Sequence, residues 1–305
     1  MNLKQLEYFV SVAELGSFSK AAEALDIAQP ALSRQVRALE IDLHETLLSR
    51  NGRGVSLTEA GRRLFEHSVG ILQQVAQARE DMGTSRDEPV GQITIGLPPS
   101  MGRQLTLPLI DAFQRQLPKA RLAIVEGMSA HIAEWIASGR VDIGLLYNPD
   151  AQAALDIAPL LDERLCLVER QANGPRTPVP VRELKQYPLV LPERQHVIRR
   201  LLDAQATLAG LQLDIAWEVS SIAAIIDLVC AGYGRGVLTA SAVRASGRAD
   251  ELAVRTLVEP SLISVLCVAV AAHKRPTPLM RQARRLLEEL VRALPQGAAA
   301  HSQPG

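Results

Sequence analysis

A seam of small and apolar residues that ends at Met82 constrains the fold of this chain more than any other feature. Its members are separated by alternating steps of four and three residues, a period of about 3.5 that is typical of one helix packing along another. We therefore predict one long helix from Thr58-Glu59 to Met82, roughly 36 Å in length. Its seam would hold a second copy of the chain, or would pack on the chain's own domains. The members are Leu57, Gly61, Leu64, Ser68, Ile71, Val75, Ala78 and Met82.

The residues before the long helix predict two shorter helices joined by a tight turn, which is the form of a helix-turn-helix reader of DNA. A first helix over 3–13 ends near Gly16, and Ser17 suits the capping position of a second helix over 18–25. A third helix begins at Gln29-Pro30, because proline is well accommodated in the first turn of a helix. Its pattern buries Ala31, Leu32, Val36 and Leu39 and exposes Ser33, Arg34, Gln35 and Arg37.

Residues 47–57 predict a β-hairpin, with two short strands on either side of Asn51-Gly52-Arg53-Gly54. A hairpin beside a helix-turn-helix forms a wing, and this wing carries arginine at its tip. We therefore predict an N-terminal all-α winged helix-turn-helix domain over 1–58, followed by a linker and dimerisation helix over 59–87.

The pattern after residue 91 changes to strands that alternate with helices, which indicates an α/β fold with a mostly parallel sheet. Because about 200 residues are more than one such sheet needs, we predict two α/β lobes over 92–294. The tail over 295–305 is predicted to be unstructured. The predicted strands lie at 93–95, 122–125, 141–146, 165–168, 188–191, 216–219, 236–238 and 264–271, and the last helix lies at 278–294.

Composition and charge exclude several classes of protein. Apolar residues make up 47% of the chain, which is enough for several cores, but no run of about 18 apolar residues could span a membrane. The first 25 residues lack the apolar block of a secretory signal. A net charge of zero argues against a protein that coats nucleic acid, and it leaves room for a reader with one small basic patch. We therefore expect a cytoplasmic protein.

The order and spacing of these residues resemble one family, the LysR-type transcriptional regulators, over nearly the whole chain. The N-terminal match comprises Leu6, Phe9, Gly16-Ser17-Phe18, Ala21-Ala22, Leu25, Gln29-Pro30-Ala31-Leu32-Ser33, Leu39-Glu40, Leu47-Leu48, Arg50 and Leu57-Thr58-Glu59-Ala60-Gly61. The downstream match comprises Glu126-Gly127-Met128-Ser129, Gly139-Arg140-Val141-Asp142-Ile143-Gly144, Asp227-Leu228-Val229 and Gly232-Tyr233-Gly234. Ala28 departs from the family, which often has Ser or Thr there, and loses a hydroxyl that could cap the helix for about 1 kcal/mol.

The resemblance implies an effector domain like a periplasmic solute receptor. One lobe would hold 92–161 and 268–294 and the other 162–267, with the chain crossing at 163–166 and around 264–267. Family members are usually tetramers, built as a dimer of dimers, and bend their promoter DNA. The implied partners are double-stranded promoter DNA, further copies of the chain and a small-molecule effector, with RNA polymerase as a further candidate. The implied bacterial regulator is not an enzyme and has no cofactor or metal.

The third helix and the wing carry the candidate DNA contacts. Gln29 suits adenine and Arg34 suits guanine through paired hydrogen bonds. Ser33 can bond a base or a phosphate, and Pro30 and Ala31 can contact thymine methyl groups. The remaining candidates suit the DNA backbone or the minor groove, with a solvated charge as the alternative for Arg37. They are Ser17, Arg37, Arg50 and Arg53.

Candidate effector contacts lie at turns that precede helices, where backbone N–H groups attract anions between the two lobes. The hydroxyls at these turns either bind the effector or only cap the helices, and His196 and Arg103 have solvated alternatives. The candidates are Ser100, Met101, Ser129, His196 and Ser220.

The three cysteines have neither metal-ligand nor redox spacing. Cys166 and Cys267 fall in the two predicted crossing strands, where they would be small buried residues or, as the alternative, a redox pair. Cys230 alone lies well inside the second lobe, so the resemblance gives no support for oxidant sensing.

Two rival functions fit the pattern less well. A transport receptor would need an export signal. An enzyme fused to a DNA-binding segment would need a phosphate loop, a nucleophile elbow or a metal-spaced histidine cluster, and we find none in the sequence.

Overall fold

The computed structural model describes residues 1–51, 54–83, 89–171, 177–272, 274 and 276–295. Its N-terminal part is a winged helix-turn-helix, as predicted. The helices are α1 (Leu3–Leu15), α2 (Phe18–Ala24) and α3 (Gln29–Leu43), and the antiparallel wing strands are β1 (Leu48–Asn51) and β2 (Gly54–Leu57). The wing tip with Arg53, the linker over 84–88 and the tail over 296–305 lie outside the described residues.

The turn between α1 and α2 also anchors the wing. Gly16 ends α1 in the left-handed conformation, with φ of 61°, which glycine adopts without steric cost. Its carbonyl accepts a hydrogen bond from the N–H of Val55 at 2.9 Å. A Cβ on Gly54 would lie 2.7 Å from the same oxygen, so the wing approaches this turn too closely for a side chain.

The long helix is α4 (Glu59–Gly83), and the structure confirms its predicted extent. Leu64 packs against the core of the N-terminal domain and Ser68 is fully buried. Ile71 and Ala78 further along the seam are exposed. The single chain therefore covers the first half of the seam itself and leaves the second half open at Ile71 and Ala78, while Val75 is half-buried.

The α/β part contains ten strands and six helices within the described residues. Its helices are α5 (Pro99–Gln116), α6 (Ser129–Ala137), α7 (Val197–Leu208), α8 (Ile222–Cys230), α9 (Ala240–Ala245) and α10 (Pro278–Ala293). Its strands are β3 (Gly91–Leu97), β4 (Ala120–Glu126), β5 (Ile143–Tyr147), β6 (Leu155–Arg170), β7 (Val179–Pro180), β8 (Leu189–Leu191), β9 (Ile215–Glu218), β10 (Arg235–Thr239), β11 (Leu252–Val258) and β12 (Ile263–Ala271).

The sheet order is β4-β3-β5-β12-β6-β10-β8-β9, with β11 paired to β6 and β7. The strands β3, β4 and β5 are parallel to one another, whereas β12 and β6 are antiparallel to their neighbours. The strands that alternate with helices in each lobe are parallel, as expected, and the antiparallel crossing strands β6 and β12 make the sheet as a whole mixed. The reason is that the chain passes between the lobes twice, in opposite directions.

One strand, β6, belongs to both lobes. Residues 155–164 pair with β12 in the first lobe, and residues 165–170 pair with β10 and β11 in the second. The return crossing lies at Leu262, whose carbonyl accepts from the N–H of Leu165 at 2.8 Å. Residues 264–267 are already paired with β5 and β6, so they belong to the first lobe and not to the second. Each lobe has its own apolar core.

The long helix α4 docks on the first lobe at the end of α6. A Cβ on Gly70 would lie 2.0 Å from the carbonyl oxygen of Ser138, so the two backbones touch. With its amide nitrogen facing lobe I, Gln73 donates to the carbonyl oxygens of Gly139 at 2.8 Å and Arg140 at 3.0 Å. The DNA-binding part and the first lobe are thus joined by packing as well as by the chain.

None of the helices in the described part of the chain combines the length and apolar character that a membrane span needs.

Candidate DNA-reading helix and effector cleft

The start of α3 is exposed on one side and buried on the other. Leu32, Val36 and Leu39 pack in the domain core, while Gln29 and Arg34 are exposed. Ala31 is half-buried where burial was expected. The exposed candidates are Gln29, Pro30, Arg34 and Arg37, and Ser33 is half-buried.

As the sequence indicates, α2 has a side-chain N-cap and α3 does not. Ser17 caps α2, its hydroxyl accepting from the N–H of Lys20 at 3.4 Å. Ala28 occupies the cap of α3 and makes no side-chain hydrogen bond. Pro30 has no N–H, and the N–H groups of Ala31 and Leu32 bond to the carbonyl of Ala28 at 2.9 and 3.2 Å, so the N–H of Gln29 is the one in this turn for which a DNA phosphate is a possible partner.

Glu40 ties α3 to the wing, and sequence reasoning did not single out this role. One carboxylate oxygen accepts from the backbone N–H groups of Leu47 at 2.9 Å and Leu48 at 3.2 Å. Arg50, on β1, lies in the strand that this contact positions. Its side chain and that of Arg53 lie outside the described residues, so their DNA contacts stay predictions.

A cleft of about 1020 Å³ lies between the two lobes, within the size range of small-molecule sites. It brings together four of the five candidate effector contacts. These are Ser100 and Ser129 from the first lobe and His196 and Ser220 from the second.

Met101 is the exception, and placing it in the cleft was wrong. Its side chain is fully buried in the core of the first lobe. Ser100 faces the cleft, and one residue later the helix has turned by about 100°, which points Met101 inward.

The helices α5 and α6 both present uncapped N-termini at the cleft. Their cap residues, Pro98 and Met128, make no side-chain hydrogen bond. The Ser129 hydroxyl does not cap its helix either, because it accepts from the N–H of Tyr147 at 2.9 Å. Its proton is therefore free to point into the cleft.

The polar floor of the cleft was missed by sequence reasoning. Tyr147 ends β5, and its hydroxyl donates to Glu163 at 2.7 Å. Burial raises the pKa of Tyr147 well above its usual value, the charge of Glu163 raises it further, and a hydrogen bond with Ser100 acts in the opposite direction. Ser264 on β12 also lines the cleft, with its hydroxyl buried.

His196 is both a cap and a cleft residue. Its Nδ1 accepts from the N–H of Ile198 at 3.2 Å at the start of α7. Burial lowers the pKa of His196 to about 4, with a smaller contribution from the positive charge of Arg200. The ring is therefore neutral at pH 7, with its proton on Nε2, and offers a donor to the cleft.

Arg103 bridges the lobes at the cleft. It is exposed on α5, and its guanidinium donates to the carbonyl oxygen of Ser246 beyond α9 at 3.3 Å. Arg194 and Arg200 also line the cleft, and neither was singled out from the sequence. These arginines add positive charge where an anion would enter.

The three cysteines are separate, free and buried. Cys267 pairs in register with Pro159 of β6, whereas Cys166 lies seven residues further along that strand, roughly 20 Å away. The alternative of a Cys166–Cys267 redox pair was therefore wrong, and both are small buried residues, as predicted. Burial raises the pKa of Cys166, Cys230 and Cys267, which disfavours the reactive thiolate.

Two family models cover most of the chain. Residues 3–62 match the bacterial regulatory helix-turn-helix protein of the lysR family, and residues 86–292 match the LysR substrate binding domain. This chain belongs to the LysR family. It is a DNA-binding transcription regulator with an effector-binding domain.

Curated relatives match over nearly their full length. The chain is 32% identical over 292 residues to the nitrogen assimilation regulatory protein nac of Klebsiella aerogenes, covering 95% of each. It is 28% identical over 299 residues to the transcriptional dual regulator OxyR of Escherichia coli, covering 97% of each.

Solved structures share the architecture. A full-length OxyR variant of Pseudomonas aeruginosa matches with a TM-score of 0.71 at 24% identity, covering 96% of this chain and 95% of that one. Full-length BenM matches with a TM-score of 0.56 at 27% identity, covering 96% of each. CbnR in complex with its target DNA matches with a TM-score of 0.54 at 23% identity, covering 95% of this chain and 99% of that one.

Proposed function

We propose that α3 reads base edges in the major groove of promoter DNA. The observation that carries this proposal is the exposed start of α3, which has no side-chain cap and presents Gln29 and Arg34 on its surface. Gln29, Ser33 and Arg34 supply base readout, with Pro30 and Ala31 against thymine methyl groups. Ser17, Arg37, Arg50 and Arg53 hold the backbone and set the register.

We further propose that a small anionic effector binds between the lobes and changes promoter binding or DNA bending. Two uncapped helix N-termini meet at the cleft, and backbone N–H groups at such ends favour negative charge. Ser100, Ser129, His196 and Ser220 would contact the effector, and Arg103 would attract it.

The open half of the α4 seam supports a dimer, which in turn suits a DNA site with two half-sites. A dimer of dimers, and a contact with RNA polymerase, complete the proposal. Such a regulator acts on the chromosome in the bacterial cytoplasm and has no catalytic role.

Selection from a pool of random-sequence duplexes tests the DNA-reading function with the full chain. We expect enrichment of a site with approximate two-fold symmetry, and an affinity that falls steeply between 50 and 200 mM salt. Failure to enrich any sequence above the starting pool would overturn sequence-specific reading.

A thermal-shift screen of small organic acids and inorganic anions tests the effector site, because a ligand that binds only the folded state raises its stability. Ser129→Ala should weaken the response to any anion that binds while leaving DNA affinity intact. Ser261→Ala is the matched control, since Ser261 is exposed and does not line the cleft. An unchanged response in Ser129→Ala would move the anion site elsewhere.

A further inference from the structure

The floor of the cleft is lined by the buried polar side chains of Tyr147 and Ser264, and buried Glu163 accepts the hydrogen bond of the Tyr147 hydroxyl. The exposed fraction is 8% for Tyr147, 8% for Glu163 and 1% for Ser264. Ser264 and Glu163 are register partners across the antiparallel strands β12 and β6, so their side chains project from the same face of the sheet. The floor is therefore built at the point where the chain crosses between the lobes.

The hydroxyl of Ser264 has no hydrogen-bond partner within the described structure, although it is buried and lines the cleft. Buried hydroxyls are nearly always hydrogen-bonded, and an unmet one calls for an explanation. A group of the bound effector would supply the missing partner.

The hydroxyl of Tyr147 has a fixed direction. Its proton is committed to Glu163, and the raised pKa of Tyr147 keeps the phenol protonated. Tyr147 therefore has only acceptor lone pairs left, and because Ser100 already hydrogen-bonds this oxygen, one lone pair remains for a ligand. Ser264 can either donate or accept, because nothing else fixes its proton.

The floor adjoins the anion-attracting end of the cleft, because Ser129 accepts from the backbone N–H of Tyr147 at 2.9 Å and Ser100 hydrogen-bonds the Tyr147 hydroxyl. Ser129 and the N-termini of α5 and α6 offer donors there, and the second lobe contributes the apolar side chains of Ile222, Ile226 and Ala242. An effector that satisfies both parts of the site needs an anionic group with a second polar group close to it.

Building on the proposed effector-binding function, we propose that the effector is a hydroxylated organic acid whose hydroxyl binds Tyr147 and Ser264 at the cleft floor. A hydroxyl fits this pair because it can donate to Tyr147 and accept from Ser264 at once. An ether or carbonyl oxygen can only accept, so it could not bond to the acceptor-only oxygen of Tyr147. Tyr147 and Ser264 are thus specificity-determining residues for the effector.

Matched pairs of acids test this assignment on the full chain by isothermal titration: lactate with propionate, malate with succinate, and salicylate with benzoate. We expect at least one hydroxy acid to bind at least about tenfold more tightly than its deoxy partner, because a site built for a hydroxyl rejects the analogue that lacks it. In Ser264→Ala this preference should fall to within about threefold.

Two controls keep the result interpretable. Ser261→Ala should retain the full preference. Ser264→Ala without ligand should melt no lower than the parent protein, because the substitution removes a hydroxyl with no partner. Tyr147→Phe provides a second variant in which the preference should also fall.

The ligand assignment is overturned if deoxy acids bind as tightly as hydroxy acids, if Ser264→Ala retains the preference, or if no hydroxy acid binds. Measuring promoter binding with the same preparation distinguishes a failure of the ligand assignment from a failure of the proposed regulator function. If an acid without a hydroxyl binds and alters DNA affinity, the assignment to hydroxy acids is wrong, and the effector function is supported.

Discussion

Arg34 lies in the first turn of α3, where a side chain can reach a base edge, and it is exposed. We expect Arg34→Ala to reduce the discrimination between the selected site and random DNA by about 1–3 kcal/mol, since a bidentate contact to guanine would be lost. Fluorescence anisotropy on both DNAs measures this difference.

Arg62→Ala is the control for Arg34, because Arg62 is an exposed arginine on α4 whose described ion pair is with Glu59 of the same helix. Equal losses on both DNAs in Arg34→Ala would show that Arg34 holds the backbone and reads no base.

His196 should make the folded state sensitive to mild acid. Its pKa falls from an ordinary 6.5 to about 4 in the folded chain, so the unfolded chain binds the proton first as the pH drops. The stability that depends on neutral His196 is fully present above pH 6.5 and is lost as the pH falls toward 4, by up to about 3 kcal/mol.

Urea unfolding of His196→Asn and the parent at pH 7.5, 5.5 and 4.5 measures this contribution. Asparagine can cap α7 without titrating, and the other ionisable groups cancel in the difference. The prediction is wrong if the two stability curves stay parallel over this range.

At the scale of elements, the contact between α4 and α6 predicts that replacing Gly70 with alanine lowers the stability of the protein, although such a change within a helix usually raises it. Gly→Ala inside a helix normally stabilises it by up to about 1 kcal/mol. At Gly70 the new methyl group would meet the backbone of Ser138, so we expect Gly70→Ala to destabilise the full chain. Chemical denaturation measures the sign, and a more stable variant would show that α4 does not dock there.

Periodicity was a good guide to the N-terminal helices, α4 and α10, but it did not predict α7, α8 and α9, and it was a poor guide to some strands. The starts of α3 and α4 follow from proline, threonine and the apolar spacing. The first half of β6 was missed because Asp156, Pro159 and Asp162 interrupt its apolar pattern, and β11 was missed altogether. Both strands depend on neighbours that are distant in sequence, and such pairing overrides local preference.

The candidate site could be predicted only in part for the same reason. Helix starts such as Ser100 and Ser129 are visible in one sequence, since turns and helix periodicity are local. The floor of the cleft joins the end of β5 to β6 and β12, and no local pattern reports that Tyr147, Glu163 and Ser264 meet.

At the scale of the molecule, the open half of the α4 seam predicts the assembly. We expect Ile71→Glu to shift the protein toward monomers in sedimentation velocity, because it places a charge in the middle of the proposed apolar dimer contact. Glu66→Lys changes a charge on an exposed residue outside the seam and should leave the dimer intact. Unchanged assembly in Ile71→Glu would assign the dimer to another surface.

The short helix α6 has one end at the cleft and the other against α4. Its nine residues span roughly 13 Å, and a helix of this length moves as a stiff rod. If an effector displaced Ser129, the displacement would therefore reach Ser138 and Gly139, which contact α4. Because Gly70 has no side chain, the backbone of Ser138 contacts α4 directly. A displacement of α6 would therefore pass to the helix that carries the DNA-binding domain.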